Sequence, residues 1–122
     1  MIDAQWTRIG EEITETLEWR PASFVRVHWV RGKFARRGDA SQGIRIAPLP
    51  ARVIDKGVAG PGLLAHVLVS KYADHLPLHR QSMIFARQGI PLARSTLGGW
   101  VEGAACALRP LVEAMWRRAL AC

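Results

Sequence analysis

The period of the hydrophobic pattern changes once along this chain of 122 residues, and the change limits the folds that are available. Between Phe24 and Arg31, apolar and polar side chains alternate as they do along a half-buried β-strand. After Leu63 the apolar residues recur at spacings of three and four, which is typical of amphipathic helices. We therefore expect an α+β, mainly α fold.

The N-terminal part predicts a small β-hairpin unit. The strand that begins at Phe24 is followed by turn-forming residues from Arg36 to Gly43, and Ile44-Arg45-Ile46 offers a second short strand. Four glutamates precede this unit and are interpreted as a solvated face: Glu11, Glu12, Glu15 and Glu18. A Pro- and Gly-rich connection then predicts a division into a β segment, residues 1–56, and a helical region, residues 57–122.

The helical region predicts two helices before residue 90. The first opens at Pro61 or Gly62, because Pro is favoured in the first helical turn, and ends near His75. The second runs from about Leu78 to Gln88. Gly89 then stands where a left-handed C-terminal cap is expected.

A third helix is predicted to begin with Ser95 as its N-cap. Pro110 lacks a backbone N–H, and its ring crowds the preceding turn, so we expect this helix to stop or kink near Arg109. An apolar stripe continues beyond the proline and includes Leu111, Val112, Met115, Trp116, Ala119 and Leu120. Part of this stripe is expected to lack its partner surface.

The stretch from Pro77 to Ala105 has the outline of a helix-turn-helix. An ordinary pair of packed helices is the alternative, and the pair Gly98-Gly99 counts against DNA reading because glycine has no side chain for a base edge. On the helix-turn-helix interpretation, the DNA-binding candidates in this region are Arg80, Arg87, Arg94, Ser95 and Thr96.

The basic residues are concentrated in one part of the chain. The formal charge is +7, and residues 20–56 carry nine Lys and Arg against two acids. Such a cluster is typical of a polyanion-binding surface, although a solvated loop with surplus arginine is the alternative. We predict DNA contacts from Lys33, Arg36 and Arg37.

Neither a metal site nor a catalytic centre is predicted from the residues. No Cys pair of the form C-x-x-C is present, and Pro77 separates His75 from His79, so these two histidines do not share a helical face. The acids Asp74, Glu102 and Glu113 are scattered among basic neighbours. We expect no cofactor and no enzymatic activity.

The surroundings of the protein can also be predicted. No apolar run reaches the length of a membrane span, and the N-terminus lacks the order of a secretory signal. Cys106 and Cys122 are too far apart on a straight helix to pair, which fits a reducing compartment. The expectation is a cytoplasmic protein without membrane contact.

Several runs of residues resemble the insertion sequence sixty-six family of transposases. The similarity is most extensive from Gly60 to Ser82, and continues in Arg87–Leu97, Trp100-Val101 and Leu108–Val112. Upstream, short matches resemble the small zinc-binding segment of that family: Ile9–Glu12, Leu17-Glu18, Pro21-Ala22 and Lys33-Phe34.

The resemblance implies a transposase that binds the ends of its element and cuts and joins strands at an Asp-Asp-Glu metal site. The zinc-binding C-x-x-C pair of the family is replaced here by Arg36 and Asp39, so the family zinc is expected to be lost. The acidic triad would lie beyond Cys122. We therefore expect a truncated transposase fragment whose partner is DNA at insertion-sequence ends. The alternatives are an interaction module that assembles with itself or with full-length transposase, and a decayed reading frame.

Overall fold

The computed structural model describes residues 5–21, 23–38 and 40–122. Within these residues, three strands are followed by three α-helices. The strands are β1, Trp6–Arg20, β2, Ser23–Arg36, and β3, Ile44–Ile46. The helices are α1, Pro61–Tyr72, α2, Leu78–Arg87, and α3, Arg94–Leu120. The α+β class is thus confirmed. The chain forms two compact units, of which the first contains residues up to Thr16 and Arg26–Ala51, and the second contains Leu17–Val25 and Arg52–Cys122. The predicted domain division after residue 56 stays a prediction.

The sheet has the order β1-β2-β3. Strands β2 and β3 are antiparallel, with Phe34 opposite Arg45, so the hairpin predicted from these two segments is confirmed. The prediction of a solvated face of glutamates holds for Glu11 and Glu15, which are exposed, and was wrong for Glu12 and Glu18, which are half-buried. These residues belong to the 15-residue strand β1, in which alternation sends Glu12 and Glu18 to one side and Glu15 to the other.

The core of the second unit lies between the three helices. Its buried side chains are Leu63, Leu64, Val67, Phe85, Leu97 and Trp100. The end of the β1–β2 hairpin completes this core, because Trp19 stacks on His66 with 3.8 Å between ring centroids, and Phe24 meets Phe85 edge-on at 5.2 Å. The segment Leu17–Val25 therefore packs as part of this second unit, which is called the helical unit from here on.

The end of β1 holds the start of α1. Backbone hydrogen bonds join Leu17 to the connecting segment, from its N–H to the carbonyl of Val58 at 2.6 Å, and from the N–H of Gly60 to its own carbonyl at 2.7 Å. The Glu18 carboxylate accepts hydrogen bonds from the N–H groups of Gly62 at 3.1 Å and Leu63 at 2.5 Å. A negative charge at this position satisfies free donors and complements the helix dipole.

Helix α2 begins and ends close to the predicted residues. Gly89 has a φ of +83°, which confirms the left-handed position expected after the helix. The buried amide of Gln81 donates to the carbonyls of Val67 at 3.2 Å and Leu76 at 3.0 Å, so it ties α2 to α1 and to the segment that follows it. The hydroxyl of Ser82 donates to the carbonyl of Leu92 and holds the turn after α2. The helical pair is confirmed, while its helix-turn-helix character stays a prediction.

Helix α3 corrects two predictions. Its N-cap is Ala93 and not Ser95. The stop that was one of two outcomes expected near Arg109 was wrong, because the helix continues through Pro110, while the kink stays a prediction. The carbonyl that loses its hydrogen bond to Pro110 belongs to Cys106, and both residues are exposed, so water can satisfy it.

The carboxylate of Glu18 is expected to contribute to the stability of the helical unit. Replacing it by alanine, Glu18→Ala, removes the acceptor for two N–H groups at the start of α1, and should lower the free energy of unfolding by about 1–2 kcal/mol. Urea unfolding followed by circular dichroism at 222 nm measures the change. The matched control is Glu102→Ala on exposed α3, which should change stability by less than about 0.5 kcal/mol. Equal effects from the two variants would contradict the capping role.

The stack of Trp19 on His66 should make stability depend on pH. Burial lowers the pKa of His66, and the charge of Asp74 opposes this shift to a smaller extent. As the pH falls below about 6.5, the ordinary pKa of histidine, His66 is protonated in the unfolded chain before it is protonated in the folded chain. Stability should fall as the pH drops below this value, and the loss should be complete below the folded pKa. His66→Phe keeps a ring against Trp19 and should flatten the dependence in unfolding curves between pH 5 and 8; an unchanged slope would refute the assignment.

Candidate nucleic-acid interface

Two predicted DNA-binding residues, Arg36 and Arg37, lie at the end of β2 in the first unit, and among the described residues neither has an acidic partner. The guanidinium of Arg36 donates to the side-chain oxygens of Gln5 at 2.6 Å and Gln42 at 2.8 Å. Arg37 donates from Nε to the hydroxyl of Thr7 at 3.2 Å. Because these acceptors are neutral, they orient the two arginines without cancelling their charges.

Lys33, the third predicted residue of this group, has a different environment. Its ammonium group lies 3.9 Å from the carboxylate of Glu12, which also pairs with Arg31 at 2.8 Å. Arg31 in turn donates to the carbonyl of Ala47 at 2.7 Å. Glu12 thus compensates part of the positive charge that the sequence places on β2, and Lys33 is less available to an anion than its neighbours.

Arg45 is a basic residue of this unit that the sequence-based prediction did not include. Its guanidinium carbon lies 4.5 Å from the centroid of the Trp6 ring, in a cation–π contact. No carboxylate of the described part of the chain pairs with this charge. The residue is exposed on β3, next to β2. Its membership of the basic segment was visible in the sequence, whereas its approach to Trp6 depends on the pairing of the strands.

The other predicted residues lie on the second unit. Arg80 and Arg87 are on α2, seven residues apart and therefore on one face of that helix, and Arg94, Ser95 and Thr96 form the first turn of α3. All five side chains are exposed. Among the described residues, none of the three arginines has an ion-pair partner, so their charges face solvent uncompensated.

The first turn of α3 has the features of an anion-binding helix terminus. It contains no acidic residue, and no side chain caps it. The start of α1 differs, because the carboxylate of Glu18 already occupies that position. Free N–H groups at a helix N-terminus, together with the helix dipole and the adjacent Arg94, favour a bound anion.

Just beyond the first turn, α3 contains two consecutive glycines, Gly98 and Gly99, which have no side chains. A Cβ at Gly98 or Gly99 would meet nothing within 4 Å, so the two glycines are not required by close packing. If α3 approaches DNA here, its backbone can come near, but these positions cannot read a base edge.

Zinc ligands are not assembled in the part of the chain that the structure describes. Within residues 5–21, 23–38 and 40–122, no group of three or more His, Cys, Asp or Glu side chains could hold a metal ion. Of the two residues expected in place of the family cysteines, Arg36 is hydrogen-bonded to glutamines, and Asp39 lies outside the described residues. Loss of the family zinc stays a prediction.

Among the described helices, none is long and apolar enough to cross a membrane.

The chain belongs to the Transposase IS66 family. The sequence model of this family matches residues 56–121, which contain all three helices and most of the buried core. The match confirms the resemblance found in the sequence between Gly60 and Val112.

Curated relatives extend the similarity to the strands. The uncharacterized protein y4jD of Sinorhizobium fredii is 45% identical over 87% of this chain and 20% of its own length. The uncharacterized proteins y4hP and y4qI of the same organism are 40% and 37% identical, over 88% and 90% of this chain and 19% and 20% of their own lengths. The chain thus spans about a fifth of the length of the curated relatives it matches. No solved structure matches it.

The compensation of basic charge by Glu12 can be tested with DNA. Glu12→Gln keeps the shape of the side chain but frees the charges of Lys33 and Arg31, so it should tighten binding to duplex DNA several-fold at low salt. Fluorescence anisotropy with a labelled duplex measures the affinity. The control Glu113→Gln, on α3, changes the net charge by the same amount and should have a smaller effect. Equal tightening by both variants would mean that only total charge matters.

Proposed function

We propose that this chain is a DNA-binding part of an IS66-family transposase and contacts the phosphate backbone at the ends of the insertion sequence. Family membership supports an association with DNA transposition. The observation that carries the proposal is the set of exposed arginines around the turn between α2 and α3, which have no ion-pair partner among the described residues.

The arrangement of this turn supports phosphate contact more than base reading. Arg87 ends α2 and Arg94 begins α3, so two cations flank the free N-terminus of the longest helix. The hydroxyls of Ser95 and Thr96 add donors that suit phosphate oxygens. Because Gly98 and Gly99 follow, few side chains remain on this turn to distinguish one base from another.

The sheet unit supplies a second set of cations for the same function. The partners that the structure describes for Arg36, Arg37 and Arg45 are neutral side chains, which leave the positive charges available to a polyanion. In this proposal both units bind phosphates, and total affinity depends strongly on salt because each contact releases counterions.

The proposed role is binding and not catalysis. Four glutamates have partners in the structure, and each partner is a basic side chain or a helix N-terminus: Glu11 contacts Arg8, Glu12 contacts Arg31, Glu15 contacts His28, and Glu18 contacts the start of α1. Strand cutting and joining, which the family resemblance implies, is assigned in this proposal to the four-fifths of the relatives' length that the chain does not span.

A specific observation favours a second function, that of an assembly surface within the transposase. The C-terminal half of α3 exposes large apolar side chains, among which Met115 is 63% and Trp116 is 64% exposed. Exposed apolar surface of this kind marks a contact with another protein segment. This function is compatible with DNA binding, because it uses the opposite end of α3.

Phosphate contact at the α2–α3 turn can be measured through salt dependence. In the double variant Arg87→Gln/Arg94→Gln, two phosphate contacts are lost, so the slope of log K against log salt should decrease in magnitude by about 2 and affinity should fall at every salt concentration. Anisotropy titrations with a duplex carrying the terminal repeat, and with a scrambled duplex, give both slopes.

The control for this experiment is Arg109→Gln/Arg117→Gln, which removes the same charge from the distant half of α3. It should leave the slope within about 0.5 of the unmodified chain, since no contact is proposed there. The same loss of slope in both double variants would show that only net charge acts. Absence of any DNA binding by the unmodified chain at low salt would refute the proposed function itself.

A further inference from the structure

The unpartnered surface of the helical unit begins as a groove between α1 and α3. Its volume is about 500 Å³, and its walls include Leu68, Val69 and Tyr72 from α1 and Val101, Leu108 and Val112 from α3. The side chains of Val69 and Tyr72 are 55% and 62% exposed. The groove is therefore apolar and open to solvent.

The same surface continues along α3 beyond the groove. Val112 is shared with a second depression of about 290 Å³, whose other walls are Met115, Trp116 and Ala119. From Val101 to Ala119 the apolar strip is roughly 27 Å long, at about 1.5 Å of rise per residue. It has the dimensions to receive an α-helix rather than a small molecule.

The spacing of the strip indicates what kind of helix it fits. Its residues alternate at intervals of four and three: Val101, Ala105, Leu108, Val112, Met115 and Ala119. This is the heptad repeat of a coiled-coil seam, in which a partner helix inserts its own apolar residues between those of the first. The pattern is sustained through Pro110, which lies outside the seam.

The charges beside the seam indicate the chemistry of the partner. From Val101 to Ala119, the charged residues at the flanking heptad positions are Glu102, Arg109 and Arg118. A partner helix with Glu or Asp at its flanking positions would be attracted to Arg109 and Arg118, whereas a second copy of α3 would bring two arginines and a single acid, Glu102, to these positions. Charge complementarity therefore favours an acidic partner over self-association.

We infer that the strip from Val101 to Ala119 docks an acidic-flanked amphipathic helix from the remainder of the longer transposase polypeptide. The curated relatives supply the source, because this chain matches only 20% of the length of y4jD. The inference rests on family membership and the apolar seam, and it is independent of DNA binding.

The chemistry of the partner can be tested with the whole 122-residue chain and synthetic peptides. The probe is a labelled peptide of four heptads with Leu at the core positions and Glu at the flanking positions, and the comparison peptide has Gln in place of Glu. Fluorescence anisotropy should show the Glu peptide binding at least tenfold tighter at low salt. Equal binding of the two peptides would overturn the inferred acidic partner.

Variants of α3 then locate the docking surface. Val112→Glu/Met115→Glu places two charges in the seam and should weaken binding of the Glu peptide at least tenfold. The control, Ala107→Glu/Ala114→Glu, adds the same charges at exposed positions outside the seam and should weaken it far less. Because all four positions are exposed, the thermal melts of the variants should match that of the unmodified chain. A comparable loss in both variants would overturn the location.

The source of the helix is tested with y4jD from which the matched stretch has been deleted. The soluble deleted protein, co-expressed with the tagged chain, should be retained by the unmodified chain and by the control variant but not by Val112→Glu/Met115→Glu. Lack of retention by the unmodified chain would overturn the source. Sedimentation of the chain alone should give a monomer, and a dimer abolished by the seam variant would assign the surface to a second copy.

Discussion

The carboxylate of Glu18 stabilises the start of α1, because it accepts hydrogen bonds from the N–H groups of Gly62 and Leu63. This contact explains the glycines on either side of Pro61. A Cβ on Gly60 or Gly62 would collide with the Glu18 carboxylate, so a side chain at either position would displace this carboxylate from the N–H groups that it caps. Pro61 between them sits at the start of the helix, where its missing N–H carries no penalty. The Gly-Pro-Gly motif is thus fitted to a carboxylate more than 40 residues earlier in the chain.

Much of the fold could be predicted because its determinants are local. The beginning of α1 at Pro61, the left-handed Gly89 after α2 and the pairing of β2 with β3 all follow from residues within a few positions of each element. The role of Glu18 could not be predicted, since it depends on a contact between distant segments. The stop expected at Pro110 was wrong for a related reason. The cost of Pro110 depends on whether water reaches the carbonyl of Cys106, and exposure is a property of the fold and not of the local sequence.

In the candidate site, too, the composition predicts some properties, whereas others depend on the environment that the fold creates. Counting basic residues identified the segments that carry positive charge, but it gave Lys33 and Arg36 equal weight. In the structure, Glu12 lies beside Lys33, while neutral glutamines hold Arg36, so the two cations differ in what they can offer an anion. The pairing of strands creates this difference. On the helices, Arg94 meets no such compensation among the described residues, and the dipole of α3 adds to its effect.

Helix α3 has two ends with different properties, and Pro110 lies between them. The first half contributes Leu97 and Trp100 to the core, which fixes the direction of the first turn and of Arg94. The second half contributes nothing to the core and carries the seam residues Val112, Met115 and Ala119. Because Pro110 removes one backbone hydrogen bond, bending at this point costs less than elsewhere in the helix. A partner on the seam beyond Pro110 can therefore adjust its position without displacing the turn between α2 and α3. In the proposals made above, protein docking and phosphate contact on one helix thus need not compete.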